Sequence, residues 1–341
     1  MRDKIIQLNS MIGDSQRVLI ATHTRPDGDA VGSSTALASY LGKCRGKEVC
    51  VALPNPAQES LGFIMEGIEV LDCSREREIT EGRIRKADLI FLLDAPGFHR
   101  TDALEDALAA SGAEKVLIDH HPGPSEEQFR LVFSQTQVSS ASELLYQILM
   151  KLPDIGGNAA RLPSECARSL MCGMTTDTNN FANSVFPSTF EMASQLLAAG
   201  VDRDDILSHV YQSFGENRVR LIGYLLYEKL QVRANGLAYM ILTAEEKKRF
   251  AYREGDNEGI VNMPLAVGNV RMSLLLSEDD GFFRVSLRSK RGVSANACAR
   301  KAFNGGGHEQ ASGGRLYLGR DIASGGELGE YIERNCAEFL L

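Results

Sequence analysis

A doubly wound, mainly parallel α/β sheet followed by a smaller α+β domain is the fold class this sequence predicts, and three observations predict it. Short apolar runs at 17–22, 48–53, 88–94 and 114–119 alternate with helix-like stretches, as in sheets whose strands are joined by helices. Three of those runs end in Thr22-His23, Asp94 and Asp119-His120-His121, at the strand ends where such sheets place their ligands. Near residue 227 the pattern changes to paired strands separated by turn residues.

The elements follow in order. Residues 1–14 alternate charge with Ile5, Ile6, Leu8, Met11 and Ile12, which reads as an amphipathic helix and lacks the apolar stretch of a signal peptide. RVLIAT at 17–22 is the first strand and 30–41 the first crossover helix; DLIFLLD and EKVLID are later strands, with a helical segment at 101–111 between them. From 142 to 227 four segments show apolar residues every three to four positions: SASELLYQILMKL, PSECARSLMCGM, STFEMASQLLAAG and RDDILSHVYQSF. Gly200 reads as a helix stop and Asp202 or Arg203 as a restart. Strands at 229–233 and 237–242 flank Ala234-Asn235-Gly236, and strands at 270–276 and 282–288 flank a turn at 278–281. A glycine tract, Gly305-Gly306-Gly307-His308, precedes a C-terminal helix at 327–339. The expected layout is a first domain at 1–187, a helical linker at 188–229 and a second domain at 230–341.

Composition narrows the function classes. The chain has 341 residues, 43% hydrophobic and 24% charged, which fits a soluble protein of two domains. No apolar run approaches the ~18 residues of a membrane span. The seven cysteines include no C-x-x-C pair, so buried free thiols and a cytoplasmic location are expected. A net charge of −8 argues against tracking a long polyanion such as duplex nucleic acid. A small anionic substrate remains compatible, because bound cations and a few arginines invert the field locally.

The densest chemical signal is His23-Thr24-Arg25-Pro26-Asp27-Gly28-Asp29, with one imidazole and two carboxylates just after a strand. Such donors suit a divalent cation, and the imidazole favours manganese or another transition metal over calcium. An EF-hand is excluded because Val31 stands where its third oxygen ligand belongs. Taken alone, an Asp-rich surface turn explains the segment equally well. Asp94 and Asp177 have the alternative reading of helix caps, and adjacent histidines commonly point to opposite sides of the backbone. Convergence at one sheet edge is what would supply donors enough for two cations.

HTRPDGDAVGS, LLDAPGFHR, IDHH and GMTTDTNNF resemble, in order, the four motifs of the DHH phosphoesterase family, and SLRSK with FNGGGHEQASGG resembles its C-terminal DHH-associated domain. The resemblance covers nearly the whole chain and is similar to the branch that degrades very short RNA and pAp. It implies that His23 and Asp27 hold a first metal, Asp29, His120 and Asp177 a second, and Asp94 both. It further implies His121 as a catalytic donor beside the scissile phosphate, Asp119 as the group orienting a ligand, and Arg288, Ser289, Gly305, Gly306, Gly307 and His308, with Arg100, as substrate-phosphate contacts. Two divalent cations, manganese first, would activate a hydroxide for in-line attack, and a phosphate clamp on a separate domain would favour short oligoribonucleotides. A homodimer is compatible with this reading. Cyclic-dinucleotide phosphodiesterases and pyrophosphatases share the motifs, and a catalytically silent nucleotide-binding regulator is the alternative from another class. Asn304 and Ser312 depart from the glycine and alanine usual at their positions, and the departures fall in the substrate loop. His99 and His209 are read as surface or packing residues.

Overall fold

Continuous apolar runs make strands covered on both faces. The computed structural model describes residues 2–340. In it β1 (Arg17–Ala21), β2 (Glu48–Leu53), β3 (Glu69–Asp72), β4 (Leu89–Leu93), β5 (Glu114–Asp119) and β6 (Leu131–Ser134) pair in the order β3-β2-β1-β4-β5-β6, all parallel. Ile20 and Phe91 pack on one face of this sheet, and Leu19 and Leu92 on the other. Chain direction of growth reverses between β1 and β4, so the loops after these two strands flank the crevice that a doubly wound sheet offers to ligands.

The helices of this unit are α1 (Arg2–Asp14), α2 (Gly28–Arg45), α3 (Gly62–Met65), α4 (Cys73–Lys86), α5 (Glu105–Ala110), α6 (Ala141–Leu149), α7 (Ser164–Asp177), α8 (Pro187–Ala198) and α9 (Arg203–Tyr211). Residues 28–41 of α2 are all buried, and small side chains let it touch α7 backbone to backbone. A Cβ on Gly32 would lie 2.7 Å from Ser169 O and 2.8 Å from Gly173 Cα. This close approach positions the two helix ends that carry Asp29 and Asp177.

The second unit begins at Phe214. It comprises α10 (Glu216–Tyr224), β7 (Gln231–Val232), β8 (Leu237–Leu242), α11 (Ala244–Arg249), β9 (Met272–Asp279), β10 (Phe282–Ser289), α12 (Ala295–Ala302), β11 (Gly306–Gly307), β12 (Ala311–Tyr317) and α13 (Leu328–Cys336). Its sheet runs β11-β12-β10-β9-β8-β7, antiparallel except between β8 and β9. Leu274, Val285, Leu287, Phe303 and Ile332 are buried together beneath α12 and α13.

The stretch 188–229, expected as a linker, is shared between the units. Met192, Leu196, Ile206 and Val210 of α8 and α9 join the core of the first sheet, whereas Leu221 of α10 packs with Met240, Ile260 and Leu275. Strands β3 and β6, four residues each, and the highly charged α4, of which only Cys73, Thr80 and Ile84 are buried, add to the elements expected from the sequence. No helix among the described residues is long and apolar enough to cross a membrane.

Candidate active site

Hydrogen bonds to distant segments shape the loop after β1. Thr22 Oγ1 donates to Leu93 O at 2.9 Å, and Thr24 N to Arg100 O at 2.7 Å, joining this loop to the one after β4. Asn55, beyond the end of β2, accepts from Thr24 Oγ1 at 2.5 Å and Arg25 N at 2.9 Å through its Oδ1. Asp27 caps α2, its Oδ1 accepting from Asp29 N and Ala30 N at 3.0 and 3.1 Å. His23 Nδ1 donates to Thr24 O at 2.9 Å. Its Nε2 then lies 3.3 Å from Asp94 Oδ2 and 3.9 Å from Asp27 Oδ1.

Asp94 sits at the switch point in the left-handed region, φ 56°, a conformation that costs a non-glycine residue about 1–3 kcal/mol and recurs at functional sites. Its Oδ1 is buried and accepts no hydrogen bond of good geometry; it is 3.2 Å from His120 Nε2 and 3.7 Å from His121 Nδ1. His120 Nε2 also lies 3.7 Å from Asp177 Oδ2 and 3.9 Å from Asp29 Oδ2. Asp29 is buried at the start of α6, accepting from Ala141 N at 2.6 Å and Ser142 N at 2.9 Å. Asp177 closes α7, so it is no N-cap, and its carboxylate faces the unfavourable pole of the helix dipole. Asp119 grips His121 twice, at Nδ1 (2.8 Å) and at the backbone N (3.1 Å), and thereby orients His121 rather than His120.

Asp94 joins three donor groups whose ligand atoms lie within 4.8 Å of one another: with His23 and Asp27, with Asp29 and His120, and with Asp119 and His121. The first two have only Asp94 in common. The electrostatics are those of a site short of positive charge. Burial opposes charge on His23 and His120, yet the surrounding carboxylates, Asp94 first, raise them to about 9 and about 10. Burial, with Asp94 and Asp177 nearby, pushes Asp29 well above the carboxylate range. Asp177 is pushed up to about 6 by burial and by Asp27 and Asp94. Asp94 itself is held below that range, because His120 and His23 outweigh its burial. Oxygen and imidazole donors, an orphaned buried carboxylate oxygen and carboxylates crowded together fit divalent cations.

The expected substrate residues of the second unit are placed as follows. Arg288 lies on β10 with Nη1 donating to Leu287 O at 2.9 Å. Ser289 is buried and donates its proton to Val293 O at 2.6 Å. The amides of Gly305 and Gly307 are engaged within the fold, by Ala299 O and Asn296 Oδ1, each at 3.2 Å. His308 N donates to Ala311 O at 2.9 Å. Asn304 adopts φ 47°, which its side chain tolerates, and its Nδ2 reaches Arg315 O at 3.0 Å and Asp321 Oδ2 at 2.8 Å. Ser312 Oγ donates to His308 O at 2.8 Å. The two departures from the usual loop therefore brace it. In the first unit, Arg100 is exposed on the loop after β4. Asn55, Gly32, Gly173 and Asn296 escaped the sequence reading; a Pro-Asn-Pro turn after the 48–53 run was the only local signal for any of them.

Carboxylates and imidazoles collected at the switch point of a parallel sheet, with too little positive charge among them, define a divalent-metal-dependent hydrolase. The sequence matches the DHH family, N-terminal domain, over residues 17–174 and the DHHA1 domain over residues 236–328. The chain belongs to the DHH family of phosphoesterases, which hydrolyse phosphoester bonds. It is 28% identical over 305 residues to the bifunctional oligoribonuclease and PAP phosphatase NrnA of Bacillus subtilis, covering 88% of this chain and 89% of that one. The crystal structure of an exopolyphosphatase-related protein from Bacteroides fragilis superposes with a TM-score of 0.91 at 33% identity, over 100% of this chain and 97% of the other. RecJ of Thermus thermophilus, solved in complex with Mn2+, shares the fold, with a TM-score of 0.55 at 14% identity over 99% of this chain and 54% of its own.

Proposed function

We propose that this chain hydrolyses very short oligoribonucleotides, dinucleotides such as pApA foremost, and removes the 3′-phosphate of pAp, using two divalent cations with manganese preferred. The observation that carries the reading is Asp94, common to two donor groups, as a carboxylate shared between two ions requires. His23 and Asp27 would hold one ion, Asp29, His120 and Asp177 the other. The Bacillus subtilis relative is named for both activities and is matched across both domains, which supports the substrate class. Bound cations supply Lewis acidity to the phosphoryl oxygens and make water a nucleophile near neutral pH.

The chain's own groups do the rest. Asp119 accepts from His121 Nδ1 at 2.8 Å and fixes the ring; in the doubly protonated imidazolium form Nε2 would donate to a phosphate oxygen as charge develops there. Arg288 presents a fork that matches a terminal phosphate, and His308 adds a second donor. A cytoplasmic location belongs to the proposal and is supported by seven free cysteines.

The test is a rate comparison of the manganese-loaded protein on di- to decanucleotides, pAp, cyclic dinucleotides and pyrophosphate. Dinucleotides and pAp should be cleaved fastest; a cyclic dinucleotide or pyrophosphate turned over faster would overturn the substrate assignment. Arg288→Ala should raise KM for pApA by about tenfold while leaving turnover of bis(p-nitrophenyl) phosphate unchanged. Equal losses on both compounds would remove Arg288 from the phosphate site.

A further inference from the structure

The three glycines before His308 have different reasons to be glycine. A Cβ on Gly305 would collide with Gly313 O and lie 2.5 Å from Gly314 Cα. Gly307 has φ 145° and a Cβ there would lie 2.8 Å from Ala311 O. Gly306 is under neither constraint. It is absent from the positive-φ positions, and a Cβ would meet only Asn296 Oδ1 at 3.5 Å, Arg300 Nε at 3.7 Å and Arg300 Cγ at 3.8 Å, all ordinary contacts. The fold would accept a side chain at 306, so packing does not demand glycine there.

What stands beside it is a cation. Arg300, in the last turn of α12, is exposed, and its Nε donates to Asn296 Oδ1 at 3.2 Å. The same oxygen accepts from Gly307 N at 3.2 Å, so Asn296 fixes the guanidinium relative to the glycine loop. The next residue, Lys301, is by contrast paired with Glu338 at 2.6 Å. No carboxylate pairs with Arg300 among the described residues, and its Nη1 and Nη2 have no partner there.

We propose that Arg300, oriented by Asn296 beside the open backbone of Gly306, is a further substrate-binding residue of the DHHA1 domain that contacts anionic phosphate oxygens of the nucleotide. The proposal rests on the nucleotide reading given above. An ion fork held at Nε offers both terminal nitrogens to one phosphate, and glycine at 306 lets the ligand approach the main chain.

The test compares wild type with Arg300→Ala, Arg300→Lys, Gly306→Ala and Lys301→Ala. Calorimetric binding of pAp to the metal-free protein reads Arg300 apart from hydrolysis. Arg300→Ala should weaken pAp by about tenfold. Arg300→Lys should recover only part of that, lacking the fork. Gly306→Ala should weaken pAp with unchanged thermal stability, and Lys301→Ala should behave as wild type. With pApA as substrate, Arg300→Ala should raise KM and leave kcat within about twofold. No pAp binding by wild type, equal affinity in Arg300→Ala, or a neutral Gly306→Ala overturns the proposal. A wild type that binds pAp through Arg300 yet cleaves no oligonucleotide refutes the proposed function and leaves this inference standing.

Discussion

The two donor groups that have only Asp94 in common are built in opposite ways. His23 and Asp27 come from one turn and are set by neighbours in sequence: His23 leans on Thr24 O and Asp27 caps the helix that follows it. Asp29 and His120 come from two segments, and Asp177, 3.7 Å from His120 Nε2, from a third. They meet only because α2 and α7 touch through Gly32 and Gly173 and because α6 offers two amides to Asp29. The first group takes both residues from one turn, and that turn is tied to the loop after β4 and to Asn55 by four hydrogen bonds. The second transmits any change in helix packing straight to its ligands.

Asp94 is the point at which this contrast disappears, and its loss should have the largest effect. Asp94→Asn keeps the shape and the tolerance for φ 56° but removes the charge common to both groups. Turnover of pApA should fall by about a thousandfold or more, with unchanged circular dichroism. Retained activity would deny that the two groups act as one centre.

A pair of smaller changes separates the groups. In Gly173→Ala the new Cβ would lie 2.9 Å from Asp29 Oδ1 and closer still to Ser142 Oγ. Overpacking of this kind costs about 1–3 kcal/mol, so the melting temperature should fall and one ion should be lost in a metal titration. Asn55→Ala deletes the acceptor for Thr24 Oγ1 and Arg25 N. It should leave stability nearly intact and weaken the other ion by roughly tenfold. If Asn55→Ala proved the more destabilising, the local group would be the fragile one and the contrast would be reversed.

The same contrast explains what could be read from the sequence. The seven-residue run at 23–29 carries its meaning in one stretch, and the strands ending at Asp94 and Asp119 announce themselves by apolar runs, so the parallel sheet and its acidic edge were legible. The partners of Asp29 were not: Ser142 lies 113 residues away, and a glycine such as Gly173 shows its purpose only once another backbone is against it. Donors already engaged are equally invisible beforehand. Ser289 and the amides of Gly305 and Gly307 look available as letters, whereas their protons go to Val293 O, Ala299 O and Asn296 Oδ1. β3, β6 and the charged α4 were missed because they bury too few residues to show a period.

Protons provide the gentlest probe. In the metal-free protein His23 and His120 are raised from the ordinary 6.5 to about 9 and about 10, so both are protonated at neutral pH, where they stand in for missing cations. A divalent ion needs the neutral imidazole. Metal binding near pH 7.5 should therefore release at least the two imidazole protons, with Asp29, also raised, able to add to them, measurable by calorimetry in buffers of different ionisation enthalpy, and affinity should rise with pH until it levels beyond 9–10. Stability of the metal-free protein runs the other way. A histidine raised on folding contributes fully below 6.5, and its contribution is lost as pH climbs through 9 to 10. The melting temperature without metal should thus decline over that window while the metal-loaded protein stays level. Metal uptake without proton release would show that the imidazoles are neutral beforehand, and that the carboxylates around them are held apart by something other than charge.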